Sequence, residues 1–253
     1  MGRTHEALER AEKEYERNFK ARVEPPSIPK APIPKETKPL TMTTHHNDGE
    51  VYEGLKVNLM ARYPAKSIRS IVFCSTTHAD GATTTATNFA AALAKDATLK
   101  VLLVDVNLRT PGLHDRYHID HSPGFSDYIC SPSDLTTPVF SFKLKNLCIL
   151  PSGTNISSPI SLFETTRFDQ FLREMRDRFD YVILDAPPVP SFSESRVICP
   201  KVDGVILVVG AGRTRRLVAL KAKKALEEAG GRVLGIVMNR RKYPVPEWLY
   251  KRL

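Results

Sequence analysis

The feature that most constrains this chain is a series of short, uninterrupted apolar runs at 71–73, 101–104, 148–150, 182–184, 205–209 and 233–238. Runs that are apolar at every position read as strands buried on both faces of a sheet. Between them the spacing turns helical. A helix is expected over 83–95, a second carries Phe168, Phe171, Leu172, Met175 and Phe179 on one face, and a third runs from Thr214 as N-cap to Gly230 just past its end. This alternation predicts a doubly wound, mostly parallel α/β sheet with helices on both faces and a ligand site at the carboxyl ends of the strands. No run is long enough to cross a bilayer, and no internal repeat is visible.

Upstream of the first run the organisation changes. Residues 1–23 read as an amphipathic helix, with Leu8, Ala11, Tyr15 and Phe19 on one stripe and Glu9/Lys13 and Glu16/Lys20 as supporting pairs. Residues 24–47 form a linker in which Pro25, Pro26, Pro29, Pro32, Pro34 and Pro39 forbid a continuous helix. The main domain is expected over 48–253, opening with a helix at about 50–61 and closing with a basic tail.

Charge is distributed unevenly. The net charge of +9 arises from 37 basic and 28 acidic residues, and the stretch from Arg213 onward holds twelve basic residues against three acidic ones, which is the whole excess. Such a tail fits an anionic membrane surface or an acidic protein patch, and no motif for reading nucleic acid accompanies it. The charged start of the chain predicts no secretory signal, and Cys74, Cys130, Cys148 and Cys199, with no paired spacing, are expected as reduced thiols of a cytoplasmic protein.

Three segments fall where a doubly wound sheet puts its chemistry. After the first strand comes Ser75-Thr76-Thr77-His78-Ala79-Asp80-Gly81-Ala82-Thr83-Thr84 and then a helix, the setting of a phosphate-binding loop. The loop pattern wants Gly, four residues, Gly, Lys and Ser or Thr; Thr76 stands for the first Gly and Ala82 for the Lys, while Gly81 and Thr83 remain. The second segment ends a strand with Asp105, Asn107 and Arg109, and the third ends another with Asp185, Ala186, Pro187 and Pro188. A carboxylate at the end of a buried strand is costly unless satisfied, and hydrated magnesium beside a phosphate is its usual partner. His114, His118 and His121, with Asp115 and Asp120 nearby, are metal-ligand types without a fourth ligand at matching spacing, and no metal is assigned to them.

The ordered set of segments resembles the bacterial protein-tyrosine kinases of capsule and exopolysaccharide synthesis, P-loop proteins related to partition and septum-placing ATPases. The resemblance includes Glu6-Ala7-Leu8-Glu9-Arg10-Ala11, the helix around Glu50 to Leu59, Gly124-Phe125-Ser126-Asp127-Tyr128, Leu150-Pro151-Ser152-Gly153 and Asn239-Arg240-Arg241. It implies ATP or ADP with Mg2+ as ligand, to the extent that binding is retained. Gly81, Ala82, Thr83, Thr84, Arg109 and Asn239 would line the nucleotide, with Asn239 near the adenine. Thr83, Asp105 and Asp185 would hold the metal, Asp105, Asn107 and Asp185 occupy the catalytic positions, and Tyr243 and Tyr250 stand as phosphorylation sites in place of a tyrosine cluster.

Departures from the family pattern fall on functional positions. Ala82 cannot hold terminal phosphates as the loop lysine does, and Asn107 cannot accept a proton as the family's aspartate does. No lysine lies between Lys66 and Lys95, where the only basic side chains are Arg69 and His78. Glu50, Glu53 and Lys56 replace a Glu and two Arg that join subunits into a ring, and the oligomeric state stays open. The expectation is a cytoplasmic kinase-like protein of exopolysaccharide synthesis, weak or inactive as a kinase, acting by binding a transmembrane polysaccharide co-polymerase or another assembly protein at the inner face of the plasma membrane. One alternative is an active tyrosine autokinase with a cation from a neighbouring subunit, for which Arg213, Arg215 and Arg216 are candidates. Another is a membrane-associated positioning protein of the partition or septum type.

Overall fold

The computed structural model describes residues 48–63, 67–130, 140–141, 144 and 146–240. The chain divides into two units, Met1–Pro32 and Ile33–Leu253, and every described residue belongs to the second. Residues 1–47, expected as an amphipathic helix and a proline-rich linker, and Tyr243 and Tyr250 of the basic tail lie outside the described residues.

The expected sheet is present. Strands β1 (Ser70–Ser75), β2 (Val101–Asp105), β3 (Phe140–Ser141), β4 (Leu147–Leu150), β5 (Tyr181–Asp185), β6 (Gly204–Gly210) and β7 (Val233–Asn239) form one sheet in the order β3-β4-β2-β5-β1-β6-β7. All pairings are parallel except that of the two-residue β3 with β4. All six apolar runs are strands, whereas β3 is too short to leave a periodic signal.

The helices, in chain order among the described residues, are α1 (Asp48–Arg62), α2 (Ala82–Ala94), α3 (Leu113–Tyr117), α4 (Phe125–Cys130), α5 (Pro159–Glu164), α6 (Thr166–Arg178), α7 (Glu194–Ile198) and α8 (Arg216–Glu228). Alternate strand residues face opposite layers. Ile71, Phe73, Leu103, Ile183 and Val208 pack with Ala86, Phe89, Leu93, Leu113 and Tyr117 of α2 and α3. Val72, Cys74, Leu102, Leu184 and Leu207 pack with Phe125, Phe163, Phe168, Phe171, Met175 and Leu226 of α4, α5, α6 and α8. Both sheet faces are covered, which is why the strands read as continuous apolar runs. At about 25 cal/mol per Å2, burying one such Leu or Ile side chain contributes roughly 1.5–3 kcal/mol.

Thr165, whose side chain accepts from the Phe168 amide, caps α6 as its composition allows. Thr214 does not cap the last helix: Arg215 holds that position, and the Thr214 hydroxyl donates instead to Asp80 Oδ1 at 2.9 Å. Gly230 does lie just past the end of α8, with φ +86°. On α1, Glu53 meets Lys95 at 3.1 Å, so the acidic charge expected at a ring contact has a cationic partner in its own chain.

Candidate active site

Because β5 lies between β1 and β2, the carboxyl ends of three adjacent strands bring together the loop after β1, Asp105 and Asp185. These are the three segments that the sequence singles out.

The loop after β1 is organised by a residue the sequence reading passed over. Asp80 is fully buried, and its carboxylate accepts from the Thr77 amide at 2.9 Å, the Thr77 hydroxyl at 2.9 Å, the Thr214 hydroxyl at 2.9 Å and the Thr76 hydroxyl. Burial alone would raise its pKa, but these hydrogen bonds prevail and hold it below the ordinary carboxylate value. Gly210 allows this approach, since a Cβ there would stand 2.7 Å from Asp80 Oδ1. Thr76, where the loop pattern has glycine, thus serves as an internal donor.

At the end of the loop Gly81 has φ +88°, a conformation that side-chain-bearing residues rarely adopt, and a Cβ there would lie 2.3 Å from Asn239 Nδ2. That amide donates to the Asp80 carbonyl at 2.8 Å, which ties the end of β7 to the loop. Ala82 then opens α2 with its side chain buried. The first amide bonded within the helix is that of Thr85, to the Gly81 carbonyl at 3.0 Å, so Ala82, Thr83 and Thr84 bear the helix's open donors.

Asp105 and Asp185 are both buried, and they are register partners across β2 and β5. Asp105 Oδ1 accepts from the Asn107 amide at 3.1 Å, and Oδ2 accepts from the amides of Gly112 and Leu113 at 3.0 Å each. Burial raises its pKa to about 6 against the pull of those three amides and of the neighbouring His114. Neither oxygen of Asp185 accepts a hydrogen bond of normal geometry. Its pKa is raised well above the ordinary value, first by burial and then by Asp105, with Thr83 and Arg116 opposing. A buried carboxylate that accepts no hydrogen bond of normal geometry, beside a second carboxylate and the hydroxyl of Thr83, is a set of hard oxygen donors that fits a magnesium ion.

Other candidate residues are engaged within the protein. Asn107 Nδ2 donates to Thr110 Oγ1 at 3.1 Å, and Asn107 Oδ1 accepts from the Thr110 amide at 3.3 Å, so this side-chain amide pins its own loop. Arg109 Nε donates to the buried Glu194 at 2.9 Å and its guanidinium lies 5.5 Å from the centre of the Phe192 ring. Arg69 is directed away from the loop, donating to the carbonyls of Arg176 and Phe179. His78 meets Phe192 edge to face at 5.6 Å. Arg213, Arg215 and Arg216 are exposed. His114 and His121 meet edge to face at 4.6 Å, with His121 Nε2 3.0 Å from Ser152 Oγ. Among the described residues no group of three His, Cys, Asp or Glu is placed to hold a metal, and no helix is long and apolar enough to cross a membrane.

Residues 69–213 match the AAA domain family model. The chain belongs to that family. Its relatives include the tyrosine-protein kinase YwqD of Bacillus subtilis, 28% identical over 77% of this chain and 82% of the relative. The tyrosine-protein kinase CpsD of Streptococcus agalactiae is also 28% identical, over 76% of this chain and 82% of the relative. Among solved structures, the chimerical protein CapA2B2 is similar with a TM-score of 0.72 and 27% identity, covering 77% of this chain and 85% of that one. The resemblance to bacterial tyrosine-protein kinases and the P-loop fold class expected from the segments are therefore both borne out.

Two features of the site escaped the sequence reading. Asp80 and Thr214 are 134 positions apart, and only the β1/β6 pairing brings them together. Arg116 on α3 donates to Thr84 Oγ1 at 3.3 Å, although no local motif connects it with the loop.

Proposed function

We propose that this chain is a kinase-like protein of capsule or exopolysaccharide synthesis whose phosphoryl transfer is weak or absent and which acts by contacting an assembly partner. The observation that carries this reading is a contrast: a buried carboxylate pair sits beside a phosphate-type loop, but the helix after that loop begins with Ala82. The frame for Mg-ATP or Mg-ADP is kept while the loop cation is lost. Thr83, Asp105 and Asp185 would hold Mg2+, which when bound neutralises phosphate charge. Gly81, Thr83 and Thr84 would face the phosphates, with Arg109 and Asn239 as further nucleotide candidates.

Losing one charge-assisted hydrogen bond weakens binding by roughly 1.5–3 kcal/mol, and transfer suffers more because charge grows in the transition state. Asn107, bonded to Thr110, offers no carboxylate to receive the tyrosine proton. A chain that keeps the frame but transfers poorly suits a role in which nucleotide state or simple docking controls a partner. The partner class is a transmembrane polysaccharide co-polymerase or a similar assembly protein, met at the inner face of the plasma membrane. The basic stretch from Arg213 onward supports attraction to anionic lipid there.

The test is incubation with labelled ATP and Mg2+, followed by mapping of modified tyrosines. We expect little or no phosphate on Tyr243 or Tyr250. Robust labelling that persists on dilution would overturn the weak-kinase reading.

A further inference from the structure

The loss of the loop lysine leaves an electrostatic problem. Two buried carboxyl groups and a bound nucleotide would share one end of the sheet, and Ala82 contributes no positive charge. Arg109 is committed to Glu194, and Arg69 to backbone carbonyls.

Arg116 is different. It sits on α3, whose first turn is held by Asp105 through the amides of Gly112 and Leu113. Its own amide bonds to the Gly112 carbonyl at 3.2 Å, so its place on the helix is set from the same carboxylate. Its guanidinium reaches across to Thr84 Oγ1, in the first turn of α2, at 3.3 Å. It forms no ion pair with a carboxylate among the described residues, and its side chain is exposed. Its charge also acts on Asp185. A guanidinium placed beside the open amides of a helix N-terminus has donors of the kind that bind phosphate oxygens, at the end of the helix where the dipole favours an anion.

We propose that Arg116 is a nucleotide-binding residue that supplies, from within the same chain, the phosphate-facing cation that Ala82 lacks. This rests on the reading of the site as a nucleotide site. It gives Arg116 a role that the loop motif does not contain: the cation enters from α3, across the first turn of α2, instead of from the first residue of that helix. A guanidinium held in this way favours binding of the phosphates over their transfer, because it approaches Thr84 and not the position of Ala82.

The experiment is calorimetric titration with Mg-ADP of the full chain and of Arg116→Ala, Arg116→Lys, Ala82→Lys, the Ala82→Lys/Arg116→Ala double variant and Arg173→Ala, the last an exposed cation on α6. Thermal melts check that each variant is folded. We expect Arg116→Ala to weaken binding about ten- to a hundredfold, Arg116→Lys to retain part of the affinity and Arg173→Ala to bind as the parent does. Ala82→Lys should help more when Arg116 is absent than when it is present, because the two cations serve the same phosphates. Equal binding by the parent and Arg116→Ala, or an equal loss in Arg173→Ala, would overturn the assignment while leaving the nucleotide site standing. Binding by Ala82→Lys but not by the parent would also overturn it, since Arg116 would then be supplying no effective cation. If neither the parent nor Ala82→Lys binds, the nucleotide reading falls and this inference falls with it.

Discussion

Asp105 and Asp185 are register partners across β2 and β5, so two buried carboxyl groups stand at adjacent strand ends with unequal support. Three amides stabilise Asp105 as a carboxylate, and no donor of normal geometry serves Asp185. A proton taken up by the pair therefore goes to Asp185. Because the folded pKa of Asp185 is raised, its contribution to stability is intact below the unfolded value of about 4 and is lost as pH rises through the folded value. Asp185→Asn, whose amide can donate to Asp105, should be more stable than the parent by about 1–3 kcal/mol at about pH 8, with the gap closing toward about pH 4. Thermal melts across that range check this. A less stable variant at high pH would mean that the carboxylate has compensation in solution.

Magnesium should reverse the pattern. A cation competes with the proton for Asp185, so the ion binds better as pH rises. We expect added Mg2+ to raise the melting temperature more at about pH 8 than at about pH 6, and Asp185→Asn to lose most of that gain. A Mg2+ effect that is independent of both pH and Asp185 would place the ion elsewhere.

Gly81 joins the loop to α2 and also receives Asn239 over its Cα. In Gly81→Ala a left-handed residue acquires a side chain, and its Cβ meets Asn239 Nδ2 at 2.3 Å. The two penalties should together cost about 2 kcal/mol or more. Adding Asn239→Ala removes the clash but not the backbone strain, so the double variant should be more stable than the sum of the two single effects. Denaturant titration of the four proteins decides this, and simple additivity would show that the two residues do not interact.

The parallel core was legible because burial on both faces gives a continuous apolar run, as at 205–209, and because helix faces such as Phe168, Phe171, Leu172 and Met175 keep their spacing. The chemistry at strand ends was legible for the same reason: Asp105 and Asp185 each stop an apolar run. What escaped was contact between distant segments. Thr214 looked like a cap by its type and its place before a helix, but Asp80, brought close by the β1/β6 pairing, claims its hydroxyl. Arg116 could not be related to Thr84 without knowing how α3 lies against α2. Asn107 was recognisable as a departure from a carboxylate, but its bonds to Thr110 became visible only in the folded loop.

Arg109 is the residue on which sequence position and structure lead to different experiments. By motif it is a nucleotide candidate, yet it holds Glu194, whose side chain is only 3% exposed, while its own is 39% exposed. Removing a cation from a buried carboxylate leaves that charge uncompensated, whereas neutralising the carboxylate lets the cation return to water. Arg109→Ala should therefore cost about 2–3 kcal/mol of stability, including the lost contact with Phe192, and Glu194→Gln should cost less. Equilibrium urea denaturation of both variants tests the order. The double variant should recover part of the loss caused by Arg109→Ala alone, because no buried charge is then left without a partner. If Arg109→Ala retains full stability but loses affinity for Mg-ADP, the ion pair with Glu194 is dispensable and the arginine belongs to the nucleotide.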